Sequence, residues 1–284
     1  MSRLGVMKTY KLFIGGKFPR SESGRSYEVS GQDGAFIANV AKASRKDARD
    51  AVVAARAAQP VWAGATAYNR GQVLYRIAEM LEGRAAQFVD EIVAVEGVDR
   101  KAARAQVDAA IDAWVWHAGW TDKIAQVAGN ANPVAGPFFN LSVPEPVGVV
   151  AAIAPQRGSS LLGLVLTIAP AVAAGCAVVV VANEAAPLAA ATLAEVLAVS
   201  DVPGGVINIL TGSPAEIAPW LASHADVNAI DLAGAGGLEW VDLQIAAAQT
   251  LMRTLEPVDP IPLSLTRILA FTETKTVWHT KSSR

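Results

Sequence analysis

What the sequence lacks narrows its chemistry first. A single cysteine, Cys176, stands among 284 residues. That excludes an internal disulfide and any cysteine-based metal site. The three histidines, His117, His224 and His279, are far apart and show no ligand spacing, so a metal centre has no support. Charge is scarce and balanced, with 18% charged residues and a net charge of −2. No broad basic surface for nucleic acid follows from such a balance. Long clean apolar runs are also missing. The longest, Ile168–Ala182, is interrupted by Pro170 and Gly175 and is too short to span a bilayer. Met1–Tyr10 carries no apolar signal-peptide core. The expectation is a cytoplasmic protein with no nucleic-acid or membrane partner.

What remains is a chain built to fold. Hydrophobic residues make up 52% and alanine dominates them, which favours helices, close packing and a sizeable core. Ser44 before Arg45-Lys46-Asp47 reads as an N-cap. Ala48, Ala51, Val52, Ala55 and Ala58 then recur at helical spacing. Arg70–Phe88 reads as a second amphipathic helix and Arg100–Ile124 as a third. Tyr10–Ile14 reads as a strand closing in a turn at Gly15-Gly16. Between Val127 and Pro144 glycines, asparagines and prolines punctuate short apolar pieces, the texture of a projecting hairpin.

From Val147 the pattern alternates. Val147–Ala154, Cys176–Ala182, Val206–Leu210 and Val227–Leu232 are short apolar runs, read as buried strands. Helical stretches at Leu161–Ala174, Ala189–Val199 and Pro214–Ser223 separate them. The fold class predicted is α/β, a doubly wound parallel sheet with flanking helices and a small β element. Leu238–Leu251 reads as a further helix. Glu256–Pro262 is a proline-rich connector, and Leu269–His279 a terminal strand.

Several segments in order resemble the aldehyde dehydrogenase family. Leu12–Phe18 is similar to its opening hairpin, Ala51–Ala58 with Trp62 to its next helix, and His117–Ile124 to the end of a long one. Glu145–Val150 resembles the approach to its cofactor sheet. Ile168–Gly175, Pro203–Gly212 and His224–Val227 keep the register, and Phe271–Trp278 resembles the closing strand of its oligomerisation element. The resemblance implies a dinucleotide-binding-type domain over residues 1–124 and 145–256. It implies a β oligomerisation element over 125–144 and 265–284. Phe271 stands only fifteen positions beyond Glu256. A domain needs on the order of 100 residues, so the family's catalytic domain is expected to be absent. This pattern resembles the degenerate second unit of two-unit aldehyde dehydrogenases.

The departures bear on function. Where the family places Pro-Trp-Asn-Phe-Pro, this chain has Pro155-Gln156-Arg157-Gly158-Ser159. Arg157 then replaces an amide that helps hold an oxyanion. It could bind an anion or plug the vacated site by pairing with a carboxylate. Where the family places Lys-Pro-Ser-Glu, this chain has Val181-Ala182-Asn183-Glu184. Val181 cannot bond a ribose hydroxyl, which leaves Glu184. The family's Phe-Thr-Gly-Ser turn falls on Leu232-Ala233-Gly234-Ala235, so Gly234 persists and Ala235 lacks the hydroxyl. Glu256 matches the family's general base, but Pro257 follows and no nucleophile comes after it. Glu184 and Glu256 also read as solvated or capping carboxylates. Gly234 also reads as a plain turn residue, and Cys176, inside an apolar run, as a core residue.

The expected cofactor is therefore none, with NAD or NADP held weakly at most. The expected function is a non-catalytic family member, a pseudoenzyme serving as an assembly or regulatory subunit. Its partner would be itself or a full-length aldehyde dehydrogenase, met through Val127–Val143 and Phe271–Trp278. The alternative is a component of NAD(P)-dependent aldehyde oxidation that binds cofactor or completes a partner's site.

Overall fold

A computed structural model describes residues 8–281. Three sheets and their helices follow one another along the chain. The first sheet holds β1 (Thr9–Tyr10), β2 (Ser26–Ser30) and β3 (Phe36–Ala41) in the order β1-β3-β2. Four long helices come next: α1 (Arg45–Gly64), α2 (Ala67–Glu82), α3 (Ala85–Glu96) and α4 (Arg100–Trp120). After α5 (Ile124–Ala128), the short β4 (Asn130–Ala131) and the nine-residue β5 (Phe138–Pro146) project from the body.

The central unit alternates β6 (Val149–Ile153), α6 (Leu162–Ala174), β7 (Ala177–Val181), α7 (Leu188–Leu197), β8 (Ile207–Leu210), α8 (Pro214–Ala222), β9 (Ala229–Asp231), α9 (Trp240–Ala248) and β10 (Arg253–Leu255). The chain closes with α10 (Leu265–Leu269) and β11 (Thr272–Thr280). The central sheet has five parallel strands in the order β10-β9-β6-β7-β8.

Side chains alternate across this sheet, as the twofold repeat of a strand demands. Val150, Ala152, Val178 and Val180 face a core shared with α2, α3, α4, α6 and α7. Val149, Ala151, Ile153, Val179 and Val181 face a second core beneath α1, α8 and α9. Every residue of β6 and β7 is buried, which explains their unbroken apolar runs. No described helix is long and apolar enough to cross a membrane.

Caps set the helix starts. The Ser44 hydroxyl accepts from the Lys46 and Asp47 N–H groups, and the Asp47 carboxylate accepts the Ser44 N–H at 2.7 Å, completing a capping box. Gly175, with φ of +100°, ends α6 and turns the chain into β7.

The structure departs from the sequence expectations at several points. The helix expected over Arg70–Phe88 is two helices, broken at Gly83-Arg84. The strand expected over Tyr10–Ile14 is confined to Thr9–Tyr10, and Phe13 bridges β8 by exchanging backbone hydrogen bonds with Ile209. Strands β2, β3 and β10 had no counterpart in the sequence reading. The hairpin expected from Val127 begins instead with α5, and β5 continues to Pro146. Phe271 is fully buried against the body, and β11 starts one residue later. Before it, Leu265–Leu269 is a helix packed on α6 with Ile268 in the core.

Candidate functional site

Strand order locates the site. From β6 the chain moves outward to β7 and β8, then returns to β9 on the other side of β6. The loops leaving β6 and β9 therefore diverge, and a crevice opens beyond the carboxyl ends of those strands. Here it is a cleft of about 370 Å³. Arg157 and Gln156 line it from the β6 loop, Gly234 and Gly236 from the β9 loop, and Pro257 and Asp259 from the segment after β10.

Each wall has a physical cause. The Gln156 amide donates to the carbonyls of Ala154 (2.6 Å) and Ala182 (3.3 Å) and accepts the Glu184 N–H at 3.0 Å. Its hydrogen-bonding capacity is spent on joining the loops after β6 and β7. Gly234 donates to the Ile153 carbonyl at 2.9 Å, and a β-carbon there would sit 2.2 Å from the Ala154 carbonyl. Glycine is required for the two loops to touch. Arg157 is exposed and pairs with no described carboxylate, so the plugged arrangement is not the one adopted. Its guanidinium is the cation of the cleft.

Beneath the floor lies an ion pair that sequence reading missed. Asp231, at the end of β9, is fully buried and pairs with Arg267 of α10. Asp231 Oδ1 also accepts the N–H of Ala233, which lines the cleft, at 3.0 Å. Burial pushes the Asp231 carboxyl above its usual range, and the Arg267 charge pulls it back. His117 of α4 is buried nearby. Burial drives its pKa down to about 4, the Ala113 carbonyl bonded to Nδ1 opposes this, and Arg267 adds to it. An aspartate inside the apolar run Val227–Leu232 was the available signal, because a lone carboxylate there demands a partner.

A second cleft of about 400 Å³ lies between α8 and α9. Its walls are mostly apolar, with Pro214, Ala218, Pro219 and Leu243 among them, and Glu239 and Asp242 are its two carboxylates. It suits a flat, weakly polar group. No sequence motif marked it, because its residues are ordinary helix-face residues.

The remaining candidates fall apart from one another. Val181 is buried in β7 and Ala235 in the core below α8, so neither presents a group to the crevice. Glu184 is half-buried, tied to the cleft only through its backbone bond to Gln156. Glu256 is exposed next to Pro257 and does not line the cleft. Cys176 is fully buried, lies within 3.4 Å of the Phe271 carbonyl, and burial pushes its thiol up to about 12. A thiol so placed is not a nucleophile. For a dinucleotide the fit is partial: the α8–α9 cleft has room for a base beside Glu239 and Asp242, while the first cleft offers Arg157 and the glycine-rich backbone and Glu184 does not line it.

Comparison with known proteins agrees with this architecture. Residues 18–250 match the protein-family model described as the aldehyde dehydrogenase family. The chain is 33% identical over 244 residues to mouse cytosolic 10-formyltetrahydrofolate dehydrogenase, covering 82% of this chain and 26% of that protein. It is 30% identical over 259 residues to Arabidopsis thaliana aldehyde dehydrogenase family 2 member C4, covering 88% and 50%. Among solved structures, Staphylococcus aureus betaine aldehyde dehydrogenase in complex with NAD+ superposes with a TM-score of 0.79 at 25% identity, covering 86% of this chain and 48% of that one. The NAD+ complex of a Bacillus cereus aldehyde dehydrogenase gives 0.80 at 26%, covering 87% and 50%. The chain thus spans about half or less of the length of these relatives.

Proposed function

The chain belongs to the aldehyde dehydrogenase family, and from that premise we propose that it is a non-catalytic, cytoplasmic member acting as an assembly or regulatory subunit. One observation carries the reading. The only sulfur able to form a thiohemiacetal is that of Cys176, and it is sealed in the core with its thiol held protonated. Glu256, the residue matched to the family's general base, is solvent-exposed and outside the cleft. The partner is a second copy or a full-length aldehyde dehydrogenase. The surface is the sheet formed by β4, β5 and β11, in which β11 pairs with β5 along its whole length.

The division implied by the resemblance fits this use. In this reading the cofactor-type body is drawn from 1–124 and 145–256 and the oligomerisation element from 125–144 and 265–284, with two adjustments: β5 runs on to Pro146, and Leu265–Leu269 packs on the body. In the test, the purified chain is incubated with short-chain aldehydes and NAD+ or NADP+, and nicotinamide reduction is followed by absorbance. No turnover is expected. Turnover abolished by Cys176→Ala would overturn the reading.

The α8–α9 cleft favours a second reading, in which the chain contributes cofactor binding to a partner's site. Calorimetric titration with NAD+ and NADP+ separates the two. The assembly reading expects binding weaker than micromolar, and saturable micromolar binding supports the second.

A further inference from the structure

A third depression, of about 510 Å³, lies between the start of α1 and the end of α8. It shares no lining residue with either cleft described above. Its rim carries three cations, Arg45, Lys46 and Arg49 of α1, beside His224 from the segment after α8. Its lining is otherwise largely apolar, with Ala48, Leu221 and Trp220. No carboxylate lines it.

The rim groups are available to a ligand. Arg45 has no carboxylate partner among the described residues. Its guanidinium instead lies 3.7 Å over the Trp220 ring, a cation–π contact that occupies none of its N–H donors. Lys46 pairs with Glu22 at 3.2 Å and Arg49 with its neighbour Asp50 at 2.8 Å, both at exposed positions. Such surface pairs are weak and exchange readily. His224 Nδ1 accepts the Asp226 N–H at 3.1 Å, so the ring proton resides on Nε2, a donor.

A largely apolar lining beside a cationic rim selects an amphipathic anion, and the volume falls within the range of small-molecule sites. We propose that this groove binds a planar apolar group carrying a phosphate. The flat body lies on Leu221 and Ala48 beside Trp220, and the phosphate meets Arg45, Arg49, Lys46 and His224. Arginine's fork matches phosphate geometry, and two arginines one helical turn apart can share it.

The test follows the indole N–H resonance of Trp220 in 15N-labelled full chain, assigned by its loss in Trp220→Phe. The probes are 1-naphthyl phosphate, AMP and the uncharged 1-naphthol. A saturable shift with either phosphate is expected, at least tenfold tighter than with 1-naphthol. It weakens at least tenfold in the Arg45→Ala/Arg49→Ala variant and is unchanged in Arg157→Ala. Tighter binding of AMP assigns a nucleoside phosphate, and tighter naphthyl phosphate a simple aryl phosphate. No saturable shift with either phosphate, equal affinity for 1-naphthol, or undiminished affinity in the double variant each overturns the proposal. The 1-naphthol comparison uses the native chain, so the test stands even if a variant fails to fold.

Discussion

The central sheet and the projecting sheet are built on opposite terms. In β6 and β7 every side chain is buried, and helices cover both faces. In β5 and β11 the nine paired residues leave Phe139, Leu141, Val143 and Trp278 exposed. Phe139, Leu141 and Val143 fall on one face, with Val277 opposite Leu141. Beyond β11 no described strand continues the sheet, so its outer edge keeps unpaired backbone groups. The central strands β6 and β7 are fully buried, whereas the projecting sheet is not. An apolar stripe beside an open edge is chemistry that fits the partner surface proposed for this sheet.

The comparison can be broken from the body's side, beginning with its largest expected effect. Arg267→Met leaves the Asp231 carboxylate buried without a counter-charge. The expected loss is about 3–5 kcal/mol in urea unfolding, and the Asp231→Leu/Arg267→Met double variant recovers most of it. A single variant as stable as the native chain would show that the pair does not seat α10. The next effect is pH-dependent. His117 is held neutral when folded, with its pKa at about 4 against an ordinary 6.5. The unfolded chain takes up the proton first, so this stability is complete above 6.5 and is lost as pH falls towards 4. Its size is on the order of 3 kcal/mol. The loss of stability between pH 7 and pH 4 should therefore be smaller in His117→Gln than in the native chain, and an unchanged pH dependence contradicts the assignment.

Smaller effects sharpen the picture. Gly234→Ala forces a methyl against the Ala154 carbonyl, with an expected cost of about 1–3 kcal/mol. Thermal unfolding measures it, and a neutral outcome would show that the β6 and β9 loops separate freely. Ser44→Ala removes the α1 cap at about 1 kcal/mol, and should leave any assembly through the projecting sheet untouched in light scattering.

The large features of the body were legible because burial on both faces writes itself as unbroken apolar runs. Val149–Ile153 and Ala177–Val181 could hardly be anything else. The α1 start was equally plain, since Ser44 and Asp47 carry a local capping signal. What escaped reading depends on distant partners. Strand β10 is three half-buried residues that become a strand only by pairing with β9. Helix α10 is fixed by Arg267 reaching Asp231, thirty-six positions away in sequence. At the site, Arg157 and Gly234 were found by their motif positions and do meet in one cleft, whereas Glu184 and Glu256 do not line it. The α8–α9 cleft arises from the approach of two helices and carries no local mark.

We propose that the projecting sheet, and not a reaction, is what this chain contributes. Sedimentation velocity tests it most directly, comparing the native chain with a Leu141→Lys/Val277→Lys variant, each alone and mixed with a full-length aldehyde dehydrogenase from the same cell. The native chain should sediment as a complex in at least one of these conditions, and the variant as a folded monomer in both. A native chain that stays monomeric throughout, or a variant that assembles equally well, would contradict it.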